Sequence, residues 1–505
     1  MSARGEPLDF YDFSGGRNSF DPEFLVPANQ AVDLQNVNLL ENGWMKRQGN
    51  VAFNSASMVG ASTPIVGMDY MKFNSGTEFL NAVAGTKFFV STSLSGTMSD
   101  RTGSLTITSA QENFWTAVSL ANLQVWFGGA PNAPFSFDGS GGNATALTGT
   151  PPSARTAFVS NNRIFAISTA ADPSRIQWPV LANPNDWTGT GSGNADVSKN
   201  DGEELLQGVL LGEDTAILFK NTSTHFMILT KSPFPVYQLQ KGTGAGGRNA
   251  IVNVNGTIYF ITPSRRMKST TDGKNFEEYP SSVDDLWNRV NPNRIPFIQG
   301  VYYPERNQIH WLVSLDSNLT NDSSIIWDIR RKAWLYHPSG FKANRSCLVQ
   351  GRRLFTGHYN GKMFEQDRIS IYTDASESPS LINAYWRMPW IHAKSAGGVI
   401  HPHWIDATAI SGNTTMSVAY GFDFIDDRNT TTFNLNSSSD IWDTAVWNTA
   451  VWGGQTSTIK RVFVRGRGNV FSMKFGNAVS GESLVFQGVS VQPRTEGANK
   501  KLPAI

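Results

Sequence analysis

Apolar and polar positions repeat in a fixed order along the first three quarters of the chain. A short apolar run meets a tight polar turn, and a second apolar run follows. Seven such units centre on Gly85-Thr86, Ala121-Asn122, Asn161-Asn162, Glu213-Asp214, Asn255-Gly256, Glu305-Arg306 and Gln350-Gly351. The flanks are rich in Val, Ile, Phe, Tyr and Trp, which suit a pleated, half-buried surface. Asn-Gly between such runs marks a type I′ hairpin, because both central residues need positive φ. Six intervals from Gly85 to Gly351 give a mean period of about 44 residues, within the range of propeller blades. A lone hairpin cannot bury its apolar face, whereas seven stacked around an axis can. The pattern therefore predicts an all-β fold with a seven-bladed β-propeller over residues 62–372. Tandem hairpins of a large sandwich are the competing arrangement.

The periodicity stops at a polar, proline-bearing linker, Ser376 to Ser380. Strands are expected beyond it at Ala384–Ile391, Met416–Phe424, Val462–Val464, Val470–Phe475 and Ser483–Gln492. They predict a C-terminal β-sandwich over 381–505, without the Cys…Trp…Cys framework of an immunoglobulin domain. Residues 1–61 precede the blades as an N-terminal arm with two short strands. The one helix expected lies within 282–295, with Ser282 at its cap and acidic residues in its first turn. In the C-terminal part, WDTAV and WNTAV repeat between Trp442 and Val451, and Trp452 follows. A spacing of five fits neither helix nor strand. It suits successive turns whose rings dock on one face, which makes Trp442, Trp447 and Trp452 candidate interface residues.

Composition narrows the function. Of 505 residues, 40% are hydrophobic and 16% charged, and the net charge is +1. That balance excludes disorder and gives no global attraction to nucleic acid or anionic membranes. The single cysteine, Cys347, excludes an intramolecular disulfide and a cysteine metal cluster. No apolar run is long enough to span a membrane, and the N-terminus has no signal-peptide core.

Candidate chemistry is sparse. Ser269 to Phe276 (STTDGKNF) is similar to the Asp-box of sialidase-type propellers, a structural hairpin device. A sialidase-like site would need several arginines converging on a carboxylate; Arg163, Arg175, Arg265 and Arg352 are the arginines considered. Gly242 to Gly247 formally matches GxGxxG, but a strand follows it where a dinucleotide site needs a helix, so an inter-blade crossing is expected. His401 and His403 with Asp406 offer too few ligands for a zinc reading to stand against a polar strand edge. Asp284-Asp285 and Asp426-Asp427 read as helix-start and turn residues. No catalytic, cofactor-binding or metal residue is assigned.

Two segments carry a resemblance. Near the N-terminus stand Gly15-Gly16-Arg17-Asn18, Val32-Asp33-Leu34-Gln35-Asn36-Val37 and Gly43-Trp44-Met45-Lys46-Arg47-Gln48-Gly49. After the blades stands the tryptophan-rich stretch 442–452. Together they resemble the tail nozzle and hub (tail tubular protein B-like) structural proteins of short-tailed bacteriophages, although Gln48 replaces an expected proline. The resemblance implies a non-enzymatic virion protein, assembled in the host cytoplasm. It implies a homo-oligomeric ring, a hexamer, below the portal-adaptor complex, with tail fibre or plug proteins attached. Viral DNA would pass through the lumen without sequence-specific binding. The alternatives are a propeller glycan hydrolase and a carbohydrate-binding propeller without catalysis.

Overall fold

The structure is a computed structural model and describes residues 6–60, 63–108, 114–280, 282–392, 398–410, 412, 414–435 and 457–493. Seven four-stranded antiparallel sheets follow one another along the chain. Their innermost strands are Ile65–Lys72, Thr116–Leu120, Ala154–Ser160, Gln207–Leu210, Ile251–Val254, Gln299–Tyr303 and Ala343–Val349. Buried apolar side chains form one cluster between each pair of neighbouring sheets, and the last cluster joins the seventh sheet to the first. Seven sheets with seven interfaces make a closed ring, so the chain is a seven-bladed β-propeller. Packing is tight enough that a Cβ on Gly300 would stand 2.5 Å from Trp311 of its own blade and from Val252 of the blade before.

The turns follow the predicted chemistry. Asn255 and Gly256 have φ of +50° and +88°, and Ala121-Asn122, Asn161-Asn162 and Gln350-Gly351 also have positive φ at both positions. Six of the seven hairpins join the first two strands of their blades. The Gly85-Thr86 hairpin is out of phase: it joins the second and third strands of the first blade, Glu78–Ala84 and Lys87–Thr92. The true first hairpin turns through 73–77, where Phe73 packs edge-on against Phe79. The count of blades survives because each hairpin still falls in a different one.

Ring closure uses the N-terminal segment. Val51–Ala52 is the outermost strand of the seventh blade, pairing with Met363–Glu365. The propeller thus begins before residue 62 and is closed by strands more than three hundred residues apart. Residues 1–61 do not stand apart as an arm. Leu8–Phe10, Val37–Leu39 and Trp44–Lys46 enter one six-stranded sheet with Pro402–Ile410, Ser457–Phe463 and Val485–Pro493. Asp33–Gln35 enters a second with Ala384–Arg387, Ile391–His392, Thr415–Phe422, Ile425–Asn434 and Val470–Asn477. The two sheets enclose one core that runs from Phe13, Leu34 and Trp44 to Phe475 and Val491. Ile326, Ala333 and Leu335 of the sixth blade belong to the same core, so sandwich and propeller share buried surface.

Trp327 and Trp334 face each other across the sixth blade at 4.9 Å and are each 2% exposed. The predicted helix is shorter than 282–295, covering Asp284–Arg289 before a 3-10 turn at Pro292–Phe297. Val283, not Ser282, occupies its cap; the Ser282 carbonyl instead accepts the amide of Ser19. Pro402–Ile410 and Ile425–Asn434 were not among the expected strands.

Three substitutions test this architecture by denaturant titration. Trp334→Ala removes a buried indole between two blades and costs about 3–5 kcal/mol. Gly256→Val places a β-branched residue at positive φ, with an expected loss on the order of 1–3 kcal/mol. Asp374→Ala strands the buried Arg47 guanidinium, whose ion-pair partner it is, and costs about 3–5 kcal/mol.

Candidate functional site

The inner strands of the blades start at one end of the propeller axis, and the residues that lead into them surround a cavity of about 340 Å³. Phe114 precedes the second inner strand, Glu204 and Leu206 the fourth, Gly246 to Arg248 the fifth, and Pro296-Phe297 the sixth; Arg155 lies on the third. Glu204 sits between two arginines from its neighbouring blades. Arg155 donates through Nη1 to Glu204 Oε2 at 3.1 Å. Arg248 donates through Nη2 to Oε1 and Oε2 at 3.2 and 3.3 Å. Burial pulls the Arg248 pKa below its ordinary value, and the Glu204 charge opposes that shift. Arg248 Nε is buried with no hydrogen-bond partner.

The floor of the cavity is closed. Phe114 and Phe297 meet edge-to-face at 5.8 Å, although their blades are not neighbours, so their rings span the axis. Arg345 of the seventh blade reaches across the first: Nη2 donates to the Trp115 carbonyl at 3.0 Å and Nη1 to Gln299 Oε1 at 3.1 Å. Its guanidinium lies 5.2 Å from the Phe114 ring centroid. Burial lowers its pKa to about 10. Below it, burial raises the pKa of Asp69 to about 7, opposed by the amide of Gln124, which donates to Asp69 Oδ2 at 2.7 Å. Gln124 Oε1 in turn accepts from Asn81 and Trp126. These contacts cross from blade to blade, with Asn81 Oδ1 and Arg345 Nε left buried without a hydrogen-bond partner.

A second cavity of about 430 Å³ adjoins the first, sharing Glu204 and Asn221 and adding Asp172, Ser174, Lys199 and Glu203. Lys199 pairs there with Asp172 at 2.7 Å. Nearby, the fully buried Lys220 ammonium donates to Asp201 at 2.7 and 2.8 Å.

The residues singled out in the sequence fall elsewhere. Trp442, Trp447 and Trp452 lie outside the described residues. Asp272 accepts the amides of Lys274 and Asn275, both at 2.8 Å; these hydrogen bonds lower its pKa to about 2. Phe276 packs 5.8 Å from Phe260, so the Asp-box-like hairpin is a structural device here. The four arginines considered for a glycan site are dispersed. Arg163 donates to Pro179 and Gly191 carbonyls, Arg175 pairs with Asp196, Arg265 donates to the Asn288 and Val290 carbonyls, and Arg352 sits beyond the hairpin turn of the seventh blade. Asp406 is held bidentately by Arg461 at 2.7 Å and accepts from the Trp404 indole. Gly244 and Gly246 do form an inter-blade crossing, where a Cβ would meet Asn221 or Ile295. The arginines that do approach one another, Arg155 and Arg248, come from separate blades and no local motif announces them.

No protein-family model and no curated protein matches the chain. Among solved structures, the WD40 β-propeller domain of Doa1 is 8% identical, with a TM-score of 0.43, covering 64% of this chain and 98% of that one. YCF48 bound to D1 peptide is 9% identical, with a TM-score of 0.41, covering 66% and 98%. YCF48 from Cyanidioschyzon merolae is 10% identical, with a TM-score of 0.40, covering 61% and 96%. The propeller assignment itself rests on the seven sheets and their interfaces.

Asp69 gives a pH signature. Its folded pKa, about 7, exceeds the ordinary value of 3.8, so the folded state binds this proton more tightly. Its contribution to stability is complete below about pH 4 and is lost as pH rises through about 7. Asp69→Asn removes that dependence. Urea midpoints should therefore show the variant gaining on the wild type between pH 4 and 7, and a constant difference would contradict the buried, raised carboxyl.

Proposed function

We propose that the protein is a structural subunit of the tail of a short-tailed phage, acting as nozzle or hub rather than as an enzyme. The observation that carries this reading is where the resembling N-terminal segment sits: it is the joint between propeller and sandwich. The Arg17 amide donates to the Trp334 carbonyl, and its guanidinium pairs with Asp285 at 2.8 Å. Lys46 donates to Asn477 and the Val479 carbonyl in the sandwich. Arg47 binds Asn36, Ser339 and Asp374. A motif spent on welding two domains is a mechanical motif. It suits a subunit that must transmit load without flexing.

On this reading several copies, six by the resemblance, form a ring below the portal-adaptor complex and carry fibre or plug proteins outside. The lumen lies between copies and not along the blade axis, which Phe114, Phe297 and Arg345 close. A net charge of +1 suits a conduit, since a basic wall would grip DNA through counterion release. Exposed Phe20, Phe24, Leu25, Phe424 and Ile425 supply apolar contact surface. The Phe424 ring lies tilted 5.2 Å from Trp390, and Phe24 meets His392 edge-on at 5.5 Å, so two of these residues are backed by aromatic rings.

Light scattering of the protein alone and with the portal-adaptor assembly tests the proposal. The expected result is a ring on the assembly, seen in negative stain with a central channel. A chain that stays monomeric and unbound in both conditions while cleaving a host glycan would replace this reading with the enzyme.

A further inference from the structure

We infer that the axial cavity is a binding site for a hydroxylated carboxylic acid of about one sugar ring, of the uronic-acid class. The inference stands apart from the ring reading and needs only the folded chain. It begins with charge. Arg155 and Arg248 bring two positive charges to the cavity and Glu204 one negative. One positive charge is left over, which suits a singly charged carboxylate better than a phosphate dianion held against Glu204.

It continues with unused donors. Arg155 spends only Nη1 and Arg248 only Nη2 on Glu204, leaving Nε and the second Nη of each without a hydrogen bond. Arg248 Nε is shut away from water as well. A ligand carboxylate accepts from the second Nη of each guanidinium, while Arg248 Nε stays out of its reach. Donors and acceptors then divide the ligand's groups. Glu204 and Asn221 line the same cavity as the arginines and supply acceptor oxygens for hydroxyl groups. Phe297 and Pro296, which also line the cavity, offer apolar surface to the C–H face of a ring.

Size and access agree. About 340 Å³ is at the lower end of small-molecule sites and holds one sugar ring, not an extended peptide. Phe114 and Phe297, in contact across the axis with Arg345 against Phe114, close the axial side of the cavity. Arg155, half exposed at that mouth, meets the ligand first.

The test is isothermal titration and ligand-observed NMR on the full chain with D-glucuronate, D-glucose, acetate and N-acetyl-aspartate amide. Glucuronate should bind at least about tenfold more tightly than the other three. Arg155→Gln, at a half-exposed position where folding is undisturbed, should weaken glucuronate about tenfold or more while leaving the thermal midpoint unchanged. Arg248→Gln should do the same, and is read only if its melting curve is cooperative. The inference is overturned by glucuronate binding that Arg155→Gln leaves intact, or by no binding at about 10 mM. Tighter binding of the aspartate amide would overturn it too, by assigning the cavity to a protein carboxylate. None of these outcomes bears on ring formation, so the two readings fail separately.

Discussion

The structure depends on one buried ion pair. Arg47 and Asp374 are 2% and 0% exposed at the side chain, and the guanidinium is also held by Asn36 at 2.8 Å and by the Gln48 and Ser339 carbonyls at 3.1 and 3.0 Å. Burying two charges is costly unless every donor finds an acceptor, and here all three guanidinium nitrogens do. The groups gathered come from the N-terminal segment, from the connection between the sixth and seventh blades, and from the exit of the propeller. Asn50 repeats the same joint a few residues later, donating to the Gly340 carbonyl and to Ser376. Lys46 is the neighbour of Arg47 and points into the other domain, as adjacent residues of an extended chain do. Its ammonium is held by Asn477 and Val479, and burial lowers its pKa to about 8. Two consecutive basic residues thus fix one strand to two cores.

That joint explains how the ring stays shut. The closing strand is only Val51–Ala52, too short to hold a blade by its own hydrogen bonds. It lies directly after the anchored segment, which holds it beside its partner strand. The apolar cluster between the seventh and first blades, with Ile65, Leu80, Phe355 and the buried thiol of Cys347, completes the circle. Phe53 and Met58, just past the closing strand, pack against that cluster and cover its edge.

What could be read from the sequence was what the chain encodes locally. Hairpins whose strands lie a few residues apart carry their turn chemistry and alternation with them, and six of seven were found in phase. The first was missed because its turn at 73–77 is longer and has no Asn-Gly, while the next hairpin carries Gly85. Val51–Ala52 was illegible because two residues show no period and their partner is far along the chain. The N-terminal strands appeared as an arm for the same reason. Ile425–Asn434 escaped because it is polar and exposed on both faces, so it has no alternation to detect. The axial cavity was the least legible feature: Arg155, Glu204 and Arg248 stand about 45 residues apart, and only the blade period brings them together.

That spacing carries the final point. A propeller converts a period along the chain into proximity around an axis, so residues just before or within successive inner strands become neighbours. Deep in the axis the groups are buried, and Asp69, Gln124, Asn81 and Arg345 bond across blades there. At the mouth of the same geometry water reaches Arg155. One of the two arginine charges there is left uncompensated by Glu204. The contrast between a closed axis and a water-exposed mouth within one ring of contacts separates what the fold needs from what it can offer to a ligand.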